Sequence, residues 1–158
     1  MITPEISLVL VDIRSAHNVG AIFRTADAAG VKKIYLVGHT PAPLDRFDRP
    51  VKEIAKTALG AEDSVAWEKA DSVGALIANF KEPNVETIAL EQSPKSVDYK
   101  KVEIAGPTAI IVGNEVDGLP EEVLGQCDVV AEIPMRGQKE SLNVSVATGV
   151  FLFRLSGI

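Results

Sequence analysis

Cysteine is nearly missing from this chain. Cys127 is alone among 158 residues, so no internal disulfide can form. A chain of this kind suits a reducing compartment, and Cys127 reads as a small buried hydrophobe rather than a nucleophile. Long apolar runs are missing too: no stretch approaches the roughly 18 residues a membrane span needs. The apolar run from Ile6 to Val11 is interrupted by Ser7, has no basic flank before it and stops at Asp12. That pattern predicts a buried strand and not a signal peptide, and the expected location is the cytoplasm. Several chemical signatures are absent as well. There is no GxGxxG, no GxxxxGK[ST] and no GxSxG, which removes support for a dinucleotide site, a P-loop and a nucleophile elbow. No His/Cys/Asp group has metal spacing, His17 and His39 lying 22 residues apart, so no metal site is expected. His17 itself reads as a loop residue.

A surplus of positive charge is the last absence. The net charge is −6, which sits badly with a partner rich in phosphates. The distribution tempers this. Residues 61–125 carry thirteen acidic against five basic side chains, whereas residues 1–40 and 41–60 are each at +1 and residues 126–158 are neutral. The acidity is confined to the middle of the chain.

Length and composition fit one domain with a real core, 46% hydrophobic and 24% charged. Short apolar runs alternate with helical patterns, predicting an α/β domain with a mainly parallel sheet covered on both faces. Strands are expected at Ser7–Val11, Lys33–Val37, Ser64–Trp67, Thr87–Leu90, Thr108–Val112 and Val129–Ile133. One helix is expected over Asn18–Ala29, where Val19, Ile22, Phe23 and Ala26 share a face and Gly30 closes the end. A second is expected over Asp71–Phe80. A third is expected over Ser141–Leu155, with Ser141 as N-cap and Leu142, Val146, Val150 and Phe153 as its core stripe. Residues Gly38–Pro50, with three prolines and four charges, read as an exposed loop.

Three stretches carry candidate chemistry. The first runs from Asn18 to Gly30 directly after a strand. Arg24 lies off its apolar stripe, flanked at i−3 and i+4 by Ala21 and Ala28, which leave the guanidinium uncovered and admit another backbone. On the helix alone, a solvated Arg24 and a capping Asn18 explain the same residues. The second is the Gly113–Gly118 loop after a strand. Its glycines permit tight turns, and Glu115 either accepts hydrogen bonds from a ligand or sits in the first turn of a following helix. The third runs from Ile133 through Arg136 and Gly137 to Ser141, Asn143 and Ser145. There a strand end, a glycine loop and a helix start meet, and Asn143 and Ser145 weaken a helix and so have a poor structural excuse. Ligands of open α/β sheets bind beyond the strand carboxyl ends, where these loops lie together with Glu91–Pro94.

HNVGAIFRTADAAG, IIVGNEVDGLP and IPMRGQKESLNVSVATG, in that order, resemble the SpoU-type RNA ribose methyltransferases of the SPOUT superfamily. The resemblance implies a parallel α/β domain whose C-terminal part forms a deep trefoil knot, a rare exception among folds. It implies S-adenosylmethionine as cofactor, with Leu90, Glu91, Gly113, Ile133, Met135, Ser141 and Leu142 as contacts. It implies a catalytic set of Asn18, Arg24, Glu115, Ser141 and Asn143, and methyl transfer to a ribose 2′-hydroxyl of RNA, with tRNA ahead of rRNA. A homodimer is implied, Arg24 of one subunit facing the cofactor of the other. Residues 1–158 are expected to form a single domain with no separate N-terminal RNA-binding domain, so that the dimer surface, with Arg46, Arg49 and Lys52, holds the RNA. The alternatives are a catalytically silent RNA-binding module of the same fold, and a methyltransferase acting on a base or on a small molecule.

Overall fold

The computed structural model describes residues 3–158. Seven strands form one sheet: β1 (Ile6–Val11), β2 (Lys33–Val37), β3 (Ala66–Ala70), β4 (Glu86–Leu90), β5 (Val97–Asp98), β6 (Thr108–Val112) and β7 (Val129–Glu132). Their spatial order is β3-β2-β1-β6-β4-β7-β5, and every pairing is parallel. The helices are α1 (Ala16–Ala29), α2 (Lys52–Ala58), α3 (Ala61–Ser64), α4 (Val73–Lys81), α5 (Glu121–Gln126) and α6 (Val144–Ser156).

Alternation along the strands builds two cores. Leu8, Leu10, Ile34, Leu36, Ile88 and Ile110 point to one face and meet Ile22 and Phe23 of α1, Ile54 of α2, and Phe151 and Leu152 of α6. Val9, Val11, Val37, Ala89 and Ile111 point to the other and meet Leu76, Ile77 and Phe80 of α4 with Val123 and Leu124 of α5. Burial on both faces explains why the central strands read as continuous apolar runs. The expected α/β fold with a parallel sheet and helices on both faces is the fold observed. β7 inserts between β4 and β5, two strands made earlier in the chain, so the last third of the polypeptide enters a frame already laid down. No helix among the described residues is long and apolar enough to cross a membrane.

The structure corrects several boundaries. The edge strand β3 runs over Ala66–Ala70, not Ser64–Trp67, because Ser64 ends α3, its hydroxyl donating to Asp27 Oδ1 at 2.8 Å. α1 starts at Ala16, and its cap is Ser15, whose Oγ accepts from the Asn18 amide at 3.1 Å. α6 starts at Val144 and not at Ser141. Its N-cap is Asn143, whose Oδ1 accepts from the Ser145 N–H at 2.8 Å. Three of the four residues of the expected α6 stripe, Leu142, Val146 and Val150, are exposed; Phe153 is half-buried against the first core, and Thr148, Phe151, Leu152 and Leu155 are the buried residues of the helix. Gly38–Pro50 is a loop, yet its start is anchored by Thr40, buried and accepting from the Ile13 N–H at 3.0 Å. Helices α2, α3 and α5 and strand β5 were not expected.

Candidate active site

All strands being parallel, their carboxyl ends lie along one edge of the sheet. A cavity of about 510 Å³ opens there, at the ends of β4, β6 and β7. Its walls are the loops that leave those strands, the first turn of α6 at Val144 and Ala147, and Asn18 of α1.

The Gly113–Gly118 loop folds back on itself. Gly118 has φ 68° and its N–H donates to the Asn114 carbonyl at 2.9 Å. A Cβ on Gly113 would meet the Gly118 carbonyl carbon at 2.7 Å, so only glycine permits this approach. Asn114 Oδ1 accepts from the N–H groups of Val116 and Asp117, and its Nδ2 donates to the Asp12 carbonyl at 2.9 Å. Glu91 pins the loop from the β4 side, its Oε2 accepting from the Leu119 N–H at 2.9 Å. Gln92 Nε2 donates to the Glu140 carbonyl at 2.8 Å and ties the third loop to the first.

Glu115 turns back onto the protein. It does not lie in a helix, since α5 begins at Glu121. Its carboxylate accepts from the Ser15 N–H at 3.2 Å, the Arg14 N–H at 3.4 Å and Asn18 Nδ2 at 3.3 Å. Partial burial pushes its carboxyl up, but hydrogen bonds from its own backbone, Ser15, Asn18 and Arg14 pull it further down, and it ends below its ordinary value. Asn18 is 8% exposed, and its Oδ1 accepts from Asn143 Nδ2 at 3.2 Å. A continuous path therefore runs Glu115–Asn18–Asn143, joining residues 97 and 125 positions apart and ending on the cap of α6. Each amide has both ends committed, which fixes its orientation.

Of the residues singled out in the sequence, the cavity brings together Asn18, Leu90, Glu91, Gly113, Glu115, Ile133, Ser141, Leu142 and Asn143. Met135 and Arg24 do not line it. Arg24 is exposed on α1, six residues past Asn18 and so about 9 Å along the helix. Asn114, Gln92, Asp117 and Glu132 also line the cavity and were not foreseen. Asn114 lay in plain view within VGNEVDG, but only the bond to Asp12 gives it a task.

The charge of the wall is one-sided. Glu91, Glu115, Asp117, Glu132 and Glu140 line the cavity, and among the described residues no lysine, arginine or histidine does. Such a wall repels phosphates and attracts a cation.

Comparison with known proteins shows the family of the chain. The chain is 32% identical over 150 residues to a tRNA (guanosine(18)-2′-O)-methyltransferase of Escherichia coli, matching 95% of this chain and 62% of that protein. It is 34% identical over 150 residues to a 23S rRNA (guanosine-2′-O-)-methyltransferase of Ralstonia nicotianae, matching 95% of this chain and 57% of that protein. The chain thus spans about three-fifths of the length of these relatives. The crystal structure of an AdoMet-bound rRNA methyltransferase from Sinorhizobium meliloti superposes with a TM-score of 0.85 at 32% identity, over 97% of this chain and 57% of that one. Residues 5–153 match the model of the SpoU rRNA Methylase family, and the chain belongs to that family.

Proposed function

We propose that this protein is an S-adenosylmethionine-dependent methyltransferase acting on a ribose 2′-hydroxyl of RNA, tRNA ahead of rRNA, and that it works as a homodimer in the cytoplasm. One observation carries the proposal: a cavity walled by carboxylates, without a cation, is joined through Asn18 to the helix that bears Arg24. The wall fits the cofactor, which brings a sulfonium and an ammonium group into a site that would reject a dinucleotide. Leu90, Ile133 and Leu142 supply apolar surface, the backbone at Gly113 and the acidic side chains supply acceptors, Ser141 adds a hydroxyl, and Met135 is assigned to the cofactor by the family resemblance alone. Bound there, S-adenosylmethionine supplies an electrophilic methyl group on sulfur.

The residues of this chain orient the acceptor. Asn18 and Asn143, locked by Glu115, hold the ribose side of the cavity. The Arg24 guanidinium, with its fork of N–H donors, stabilises the growing charge on the ribose oxygen and the adjacent phosphate. The hydroxyl proton passes to water or phosphate. Much of the acceleration comes from orientation. Arg24 lies outside its own subunit's cavity, and a homodimer brings it to the cavity of the other.

The test is transfer of a labelled methyl group to total RNA, followed by nuclease digestion and nucleoside analysis. A 2′-O-methylated nucleoside is the expected product. Arg24→Ala is expected to lose turnover at least 100-fold while its affinity for S-adenosylmethionine stays within about twofold. Label on a base, or near-normal turnover of the variant, overturns the assignment. A small-molecule acceptor is the second candidate, favoured by the net charge of −6. Activity on RNA that falls steeply with salt excludes it.

A further inference from the structure

The Gly38–Pro50 loop carries the most exposed aromatic side chain of the described residues. Phe47 is 61% exposed, and two guanidinium groups lie against its ring, Arg46 Cζ at 4.8 Å and Arg49 Cζ at 4.9 Å from the centroid. The loop is built to hold it out. Asp45 Oδ1 accepts from the Phe47 N–H at 2.8 Å and the Arg49 N–H at 3.1 Å, its Oδ2 pairs with Arg49 Nε at 3.1 Å, and its own N–H donates to the Arg49 carbonyl at 2.9 Å. Asp48 takes φ 58° to close the turn, and Leu44 bridges Pro50 below it. A phenyl ring kept in water by four hydrogen bonds beneath it is presented and not merely left over.

Its place in the fold gives the direction of the partner. The loop follows β2 and stands on the same sheet edge as the cavity. Asp12 links the two: its Oδ1 accepts from the His39 N–H at 2.8 Å and its carbonyl accepts from Asn114 in the cavity loop. Asp12 adopts φ 53° to do this, a conformation a non-glycine residue rarely takes.

We propose that Phe47 is a stacking platform for an unpaired base of the RNA that enters the cavity, with Arg46 and Arg49 meeting the phosphates on either side of that base. The inference rests on RNA being the substrate. An incoming base takes the place of the Arg46 guanidinium on the ring, and that guanidinium turns to the neighbouring phosphate; every base has a π-face, so the ring recognises an unstacked nucleotide without reading its identity. The guanidiniums add affinity that depends on salt. On the same sheet edge as the cavity, with β1 between its strand and β6, the platform selects loops and single strands over uninterrupted duplex.

The experiment measures binding of a short fluorescein-labelled single-stranded oligoribonucleotide, and of the same strand in duplex, as a function of salt. Phe47→Ala is expected to weaken single-strand binding about tenfold, with an unchanged salt slope, while Phe47→Trp restores it. Arg46→Ala, which leaves the Asp45–Arg49 pairing intact, is expected to lower the salt slope by about 1. Single-strand affinity of Phe47→Ala within about twofold of the unmodified chain overturns the proposal. So does a change in the sedimenting mass of Phe47→Ala, which would make the ring a subunit contact. Phe47-dependent binding without methyl transfer retains the platform and removes the proposed activity. Methyl transfer with Phe47-independent binding does the reverse. Absence of any RNA binding by the unmodified chain removes both.

Discussion

Glu115 shows how much of a site residue's task is internal. Its sequence neighbours left a ligand-facing carboxylate and a first-turn helix residue equally open, and the structure gives neither alone: the backbone of Arg14 and Ser15 before α1 and the Asn18 side chain within it occupy the carboxylate. Those bonds hold its folded-state pKa below the ordinary value of a glutamate. A depressed carboxylate stabilises the fold above its unfolded pKa and loses that contribution as pH falls through its folded pKa. Glu115→Gln is therefore expected to lower Tm by about 1–3 °C near pH 7, a small effect because the carboxylate is exposed and screened. The gap should close as pH is lowered past the folded pKa of Glu115; melting curves across that range that stay equally separated would refute the role. Cys127 is the opposite case. Burial pushes its thiol up to about 11, and its Sγ donates to the Val123 carbonyl, so it carries no thiolate near neutrality. The sequence reading of a small buried hydrophobe holds in part: Cys127 is half-buried, packed against the edge of the second core. Asn18 was harder to place, because a polar residue after a strand reads equally as a cap. Only the structure shows that Ser15 caps the helix and that the Asn18 side chain is committed to Glu115 and Asn143 at the cavity.

At the scale of elements, α6 and α1 teach the most. Asn143 looked like a poor helix residue with a functional excuse, and it is the cap of α6 as well as a partner of Asn18. The two tasks are separable. Asn143→Ala is expected to cost about 1 kcal/mol of stability, whereas Asn143→Ser keeps a capping oxygen and costs only a few tenths. Both lose the bridge to Asn18, so both are expected to lose methyl transfer at least tenfold in steady-state assays. Urea denaturation that finds the two equally unstable would dissolve the distinction. Gly20 is the corresponding position in α1. Alanine is worth about 1 kcal/mol more than glycine in a helix. Here, however, a Cβ would stand 1.9 Å from Thr57 Oγ1 and 2.4 Å from the Ile54 carbonyl oxygen, against α2. The side chain can turn away and the backbone oxygen cannot, so overpacking wins and Gly20→Ala should destabilise by about 1–2 kcal/mol in the same assay. The long elements were legible because each buries a full stripe or a full run. α2 and α5 were not, since seven and six residues with two buried apolar positions each leave no periodicity to read. β5 is two residues long and takes its identity only from pairing with β7.

At the scale of the whole molecule, the proposed homodimer gives the outward residues of the α6 stripe a reason. Hydrophobic periodicity reports a face that leaves water, and it does not say whether that face meets its own core or a second subunit. Val146 at 51% and Val150 at 38% exposure lie one turn apart, on a helix that packs beside α1, which carries Arg24. In the proposed homodimer this face is the subunit contact, and a charge at Val146 should yield a monomer in sedimentation velocity that still binds S-adenosylmethionine but transfers no methyl group. A mixing experiment goes further, because it asks whose Arg24 serves which cavity. Arg24→Ala subunits keep an intact cavity, and Asn143→Ser subunits keep an intact arginine, so each variant alone retains at most about a tenth of the activity. If Arg24 acts across the interface, a mixed dimer contains one complete site, in the cavity of the Arg24→Ala subunit. Random reassortment of equal amounts makes half of the dimers mixed, so recovery should approach about one quarter of the unmodified activity. If Arg24 acts within its own subunit, no dimer of any composition holds a complete site, and mixing recovers nothing.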